Sequence, residues 1–267
     1  MENNLDFKGV NIKLMDEGTG IPVMLLHGYL ESSEIWQSFS GELKKKFRII
    51  RIDLPGHGDS GILDKSHTMD MMAETARFVL DALFIDRCVM IGHSMGGYVS
   101  LAFAENHPER LLGFSLFHST PFADTEEKKQ SRNREIELVK QHKKDLIINA
   151  NIPGLFAEDN HELLKNEIDR SKMIARKTSE EGIIAALEGM KLRPDRSEII
   201  KKSPVPFLII LGRKDSHIPY ETVKTRLELN QSGELTVLEN SGHMGFVEEP
   251  EKSADIIQSF VQRCTDR

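Results

Sequence analysis

Short apolar runs alternate along this chain with longer stretches whose apolar residues recur every three or four positions. The runs cover 22–26, 47–52, 88–91, 111–117, 205–211 and 235–238. Runs that are apolar almost throughout suit strands buried on both faces, and their alternation with helices suits parallel order in an α/β domain. Residues 5–17 are more polar and alternate, which predicts an antiparallel hairpin at the sheet edge. Helical spacing appears at 35–45 (Ile35, Trp36, Phe39, Leu43), at 69–84 (Met72, Ala76, Val79, Leu80, Leu83), at 95–105, and in the tail at 251–263.

One segment breaks the rhythm. Between Pro121 and Pro204 no run reads as a strand, charge is dense (Glu126-Glu127-Lys128-Lys129, Arg132, Arg134, Lys143-Lys144), and the pattern is that of several helices. It is too long for a simple loop. The expected organisation is a core formed by 1–120 and 205–267, with a helical cap at 121–204 inserted after the fourth apolar run. No internal repeat interrupts this scheme.

Composition narrows the picture. A chain of 267 residues, 39% hydrophobic and 29% charged, falls in the class of soluble globular proteins with room for one large domain and an insertion. The net charge of −7 disfavours nucleic acid or an anionic membrane as partner. No stretch approaches the roughly 20 apolar residues of a membrane span, and the N-terminus lacks the apolar core of a signal peptide. Cys88 and Cys264 alone form neither a disulfide framework nor a structural zinc site. The expectation is a cytoplasmic protein acting on a small molecule, with no organic cofactor and no metal. No heptad or apolar stripe sets an oligomeric state.

The strongest chemical signal is Gly92-His93-Ser94-Met95-Gly96-Gly97, a G-x-S-x-G pattern directly after an apolar run and directly before a helical one. A serine at such a turn has a strained backbone, which demands small neighbours. It also sits at a helix N-terminus, where free N–H groups favour developing negative charge. A serine hydroxyl needs a base near neutral pH. Of ten histidines, His243 lies in the small-residue loop Ser241-Gly242-His243-Met244-Gly245, after the last run. His118, at the end of the fourth run, is the second choice. His93 should point away from Ser94, His27 and His57 should bond locally, and His67, His142 and His161 should be solvated. The acid expected to orient His243 is Asp215, after the run ending at Leu211, with Asp124 and Glu239 as alternatives. The order serine, acid, histidine places each at the end of a different strand. The oxyanion donors should be the backbone N–H groups of Met95 and of Tyr29 in His27-Gly28-Tyr29-Leu30. Phe122, Leu155, Phe156 and Met244 are candidates for the substrate pocket.

Together His27-Gly28-Tyr29, Asp53-Leu-Pro-Gly-His-Gly-Asp-Ser60, Gly92-His-Ser-Met-Gly-Gly97, His107-Pro-Glu-Arg110, Gly212-Arg-Lys-Asp215 and Gly242-His243 resemble the α/β-hydrolase superfamily over essentially the whole chain. The resemblance implies a mostly parallel eight-stranded sheet with one antiparallel strand, flanked by helices and covered by a cap. It implies that 53–60 is a structural loop. The serine nucleophile separates the chain from relatives that use aspartate. What remains resembles the serine esterase, haloperoxidase-like and carbon–carbon hydrolase branches, with a lyase of menaquinone synthesis. The implied reaction is hydrolysis of a small carboxylic ester through an acyl-enzyme. An acidic-substrate carbon–carbon hydrolase or lyase would add cationic groups, for which Arg132, Arg134, Arg170, Arg176 and Arg193 are candidates. A receptor that binds without turnover is the third reading.

Overall fold

A computed structural model describes residues 2–265. Eight strands form one sheet: β1 (Glu2–Phe7), β2 (Val10–Glu17), β3 (Pro22–Leu26), β4 (Arg48–Ile52), β5 (Cys88–His93), β6 (Leu111–Phe117), β7 (Phe207–Gly212) and β8 (Gly233–Leu238). Their spatial order is β1-β2-β4-β3-β5-β6-β7-β8. The β1–β2 hairpin is antiparallel, β2 joins β4 antiparallel, and every later pairing is parallel, so β2 alone runs against the rest. Strands β5 and β7 are buried along their whole length, which is why they are apolar at successive rather than alternate positions, His93 at the end of β5 excepted.

Helices fill the connections. They are α1 (Gln37–Leu43), α2 (Met69–Ala82), α3 (Met95–Asn106), α4 (Glu126–Lys140), α5 (Lys144–Gly154), α6 (Lys165–Lys177), α7 (Glu180–Leu192), α8 (Ser197–Lys202), α9 (Tyr220–Arg226), α10 (Gly245–Glu248) and α11 (Pro250–Thr265). Side chains set several starts. Thr68, Thr125 and Ser179 each accept a backbone N–H from the first turn of α2, α4 and α7, satisfying a donor that the helix itself leaves free. Between β6 and β7 the described residues are helical and contain no strand, as the charge-rich pattern predicts. That segment is tied back to the sheet layer. Arg196 reaches Asp70 on α2 and Glu105 on α3, and His67 N–H donates to Ala185 O on α7. No helix among the described residues is long and apolar enough to cross a membrane.

The chain runs from β3 outward to β4, then returns past β3 to β5 and continues to β8 on the other side. The winding direction therefore reverses between β3 and β5. Crevices in open parallel sheets form at such a reversal, at the carboxyl ends of the strands. The loops bearing Tyr29 and Ser94 leave the sheet there.

Candidate active site

Ser94 follows the last residue of β5 and precedes the first residue of α3, with φ 50° and ψ −112°. This conformation is uncommon for a residue with a Cβ, and it holds the serine at the tip of the turn. The turn fits only without side chains beside it. A Cβ on Gly92 would lie 2.2 Å from Gly96 O, and one on Gly96 would lie 2.4 Å from Leu26 O. Two hydrogen bonds pin the turn: Ser94 N–H donates to Phe117 O at 2.9 Å, and Ser119 Oγ–H donates to Ser94 O at 2.7 Å. Met95 opens α3, so its N–H belongs to the helix turn that lacks intrahelical acceptors.

Asp215 lies in the loop after β7, and His243 in the loop between β8 and α10. His243 Nδ1 and Asp215 Oδ2 are 2.6 Å apart, and both side chains are buried. Asp215 Oδ1 accepts the N–H groups of His217 and Ile218 at 2.8 and 2.9 Å. Burial opposes charge on Asp215, but His243 and His118 outweigh it and hold the carboxyl well below its usual range. The Asp215 carboxylate therefore fixes the proton of neutral His243 on Nδ1 and leaves Nε2 as an acceptor. Burial pushes the His243 pKa below the usual histidine value, against the pull of Asp215.

Ser94 and His243 border one cavity of about 240 Å³. Its walls include Tyr29 and Glu31 from the loop after β3, Lys128, Arg132 and Glu135 from α4, Asn151 and Leu155 around α5, and His217. The lining is thus more polar than the expected set. Of the four candidate pocket residues, Leu155 borders the cavity, whereas Phe122, Phe156 and Met244 are not in its lining. They are buried instead, with Phe122 under the Arg226 guanidinium at 3.8 Å. Large apolar side chains next to a site fill core more readily than they line a wet cavity.

The cavity-facing groups of α4 interact. Glu135 accepts the Tyr29 hydroxyl at 3.2 Å, and burial pushes its carboxyl pKa up. Arg132 borders the cavity and holds Asp124 through Nε at 2.6 Å and Nη2 at 3.3 Å. Arg193 also pairs with Asp124, at 2.8 Å, while its guanidinium covers the Tyr98 ring. Asp124 is therefore committed to two arginines, and Glu239 pairs with Arg213 at the surface. Neither alternative acid approaches His243 as Asp215 does. Arg134 is exposed, Arg176 pairs with Asp145, and Arg170 donates to Glu34 O, so only Arg132 among the five arginines borders the cavity.

The other histidines divide. His93 turns from Ser94 and sits between Glu31 (3.0 Å) and the His243 carbonyl (2.9 Å). Burial disfavours its charge, yet Glu31 raises its pKa, and both ring nitrogens face acceptors as an imidazolium requires. Glu31 Oε2 also accepts Gly28 N–H at 2.6 Å. This buried ion pair joins the loop after β3, the end of β5 and the loop after β8. His67, expected in solvent, is fully buried and accepts Leu63 N–H through Nε2. His57 bonds locally, to Pro55 O, whereas His27 faces Gly28 O beside it and also accepts Leu54 N–H from the loop after β4. The loop 53–60 is held by Asp53, whose carboxylate accepts the N–H groups of Ser33 and Asp59. His217, overlooked in the sequence, lies 5.6 Å from His243 ring to ring, and its pKa is lowered to about 4 by burial and by His243.

One trio among the described residues, His118, Asp215 and His243, brings three metal-capable atoms within 4.8 Å of one another. The facing atoms of Asp215 and His243 already share a proton, so the donor set fits a hydrogen-bonded chain better than a metal centre.

A family model described as alpha/beta hydrolase fold matches residues 21–137. The AB hydrolase superfamily protein YisY of Bacillus subtilis is 28% identical over 94% of this chain and 95% of its own length. The 2-hydroxymuconate semialdehyde hydrolase of Pseudomonas sp. is 27% identical over 95% of this chain and 91% of its own length. The solved structure of a thermophilic esterase from Thermogutta terrifontis, with malate bound, superposes with a TM-score of 0.93 at 28% identity, covering 99% of each chain.

Proposed function

Because this chain belongs to the α/β-hydrolase superfamily, we propose that it is a serine hydrolase that cleaves a small carboxylic ester through an acyl-enzyme. The observation that carries the reading is one cavity bordered by Ser94 and by a histidine whose far nitrogen is held by a buried aspartate. Ser94 Oγ attacks the ester carbonyl while His243 Nε2 takes its proton. The N–H groups of Met95 and Tyr29 receive the oxyanion. His243 returns the proton to the leaving alcohol, then deprotonates the water that releases the acid. Asp215 stabilises the imidazolium in both half-reactions. The esterase superposition supports this assignment, and the helices over the cavity act as the cap that selects the acyl group.

Arg132 and Lys128 at the cavity wall favour a second reading, in which the same three residues serve an acidic substrate. The similarity to a 2-hydroxymuconate semialdehyde hydrolase is consistent with it. Turnover of a neutral aryl ester against that of an acidic diketone separates the two. For the serine assignment itself, Ser94→Ala is expected to abolish hydrolysis of p-nitrophenyl acetate and labelling by a fluorophosphonate probe. Continued labelling of that variant would overturn it.

A further inference from the structure

We propose that His118 is a positioning residue, a second imidazole that holds the acid of the site and the loop of the base at once. The inference rests on the reading of Asp215 and His243 as acid and base. His118 follows the last residue of β6. It has φ 48°, a left-handed backbone unusual for a residue with a side chain. Its N–H donates to Ile210 O at 2.8 Å, which locks the end of β6 to β7 just before the Asp215 loop. The ring is fully buried and stacks on Phe117 at 5.1 Å.

The tautomer follows from its neighbours. His118 Nε2 accepts Gly245 N–H at 3.1 Å, so that nitrogen carries a lone pair. Gly245 lies against it: a Cβ there would sit 2.4 Å from the same nitrogen. Burial lowers the His118 pKa, which agrees with a neutral ring. Its single proton is then on Nδ1. That atom is buried, has no hydrogen-bond partner, and points at Asp215 Oδ2 from 3.6 Å. This is the oxygen that accepts the His243 Nδ1–H hydrogen bond. A buried donor without a partner is costly, and a left-handed backbone adds to the cost. A closure of a few tenths of an ångström makes the bond, and catalytic hydrogen bonds commonly tighten when substrate binds.

The consequence is chemical. A proton donated by His118 spreads the charge of Asp215 and weakens its pull on His243. The base then gives up its proton more readily. Other groups face His243 as well: the His93 ring with Glu31 behind it, and His217 with Lys128 behind it. Glu248 holds the N–H groups of Gly242 and Met244 on either side, and Glu249 lies near His118. His118 alone among them shares the aspartate oxygen. The same ring anchors Gly245, two residues beyond His243, so losing it affects both partners.

Two substitutions separate the two contacts. His118→Gln places an amide oxygen where Nε2 was and keeps the acceptor for Gly245, but withdraws the donor from Asp215. His118→Asn places an amide nitrogen where Nδ1 was and keeps that donor. With p-nitrophenyl acetate, His118→Gln should move the acid limb of kcat/KM upward by about 0.5 pH or more and lower kcat about tenfold, with KM nearly unchanged. His118→Asn should leave the limb in place. Equal losses in both variants with an unmoved limb would reduce His118 to a packing residue. Should neither variant fold, nitrogen-15 NMR of the unaltered protein decides. With the ring assigned through its contacts to the Gly245 amide and the Phe117 ring, it must be the neutral Nδ1–H tautomer. An Nε2–H tautomer overturns the proposal. Full hydrolysis by Ser94→Ala would instead overturn the hydrolase reading and leave the tautomer result to judge the contact by itself.

Discussion

Two buried aspartates, Asp124 and Asp215, offer a sharp separation of stability from catalysis. The Asp124 carboxylate is fully buried between Arg132 and Arg193, whose side chains are 12% and 4% exposed. Asn at this position removes the only charge shared by two guanidiniums and turns an amide N–H toward one of them. Breaking a buried pair by removing one partner costs about 3–5 kcal/mol. Arg132 borders the cavity and keeps some solvent, so the lower end applies. At roughly 2–4 °C per kcal/mol for a chain near this size, Asp124→Asn should lower Tm by about 6–12 °C. Its kcat should stay within about twofold, because Asp124 touches neither Ser94 nor His243, while KM can move with Arg132. Asp215→Asn should do the reverse. The His243 Nδ1 proton loses its ionised acceptor, the tautomer is no longer fixed, and kcat should fall on the order of 10³–10⁴-fold. Circular-dichroism melts and p-nitrophenyl acetate kinetics on both variants give the four numbers. A hundredfold loss of kcat in Asp124→Asn at unchanged Tm would refute the assignment of Asp215 as the acid.

Two further outcomes are expected. The base must be neutral to accept a proton, so activity is present above the His243 pKa and lost as pH falls through it. Burial sets that pKa below the ordinary value of 6.5, so the acid limb of kcat/KM should lie below about 6.5; a limb centred above pH 7 would contradict the site as described. Gly96→Ala should destabilise by about 2 kcal/mol or more, since its Cβ would lie 2.4 Å from a backbone oxygen of β3. Gly41→Ala, in α1 with nothing within 4 Å of the new Cβ, should not destabilise, and parallel thermal melts compare the two.

The sheet was legible because burial on both faces leaves a plain mark: β3, β5, β6 and β7 coincide with apolar runs to within a residue or two. The hairpin at 5–17 was legible for the opposite reason, since an edge pair with one wet face alternates. The expectation that Ser94, Asp215 and His243 belong together rests on each lying in the connection after a parallel strand, and those connections leave the sheet at one rim. His67, expected in solvent, is buried. Nothing local in Lys65-Ser66-His67-Thr68 reveals that α7 folds over it. The cavity wall is less legible on a similar ground: large apolar residues near a site suggest a lining, yet Phe122, Phe156 and Met244 are buried in packing outside it.

A signal for the true wall was present but reads as its opposite. Lys128, Ser131, Arg132 and Glu135 recur at i, i+3, i+4 and i+7, so they form one polar stripe on α4. On an isolated helix that stripe is a solvated surface. Here it faces the cavity that holds Ser94, and what places it there is the tertiary seating of α4, with Ile136 and Val139 buried. Reactive groups at strand ends inherit their geometry from backbone hydrogen bonds, which one sequence encodes locally. The groups on α4 that border the cavity inherit theirs from long-range packing, which one sequence does not spell out. On the proposed function, exchanging charges along this stripe should therefore change which esters are taken while leaving the labelling of Ser94 by a fluorophosphonate intact, because Lys128 and Arg132 border the cavity without touching the Asp215–His243 pair.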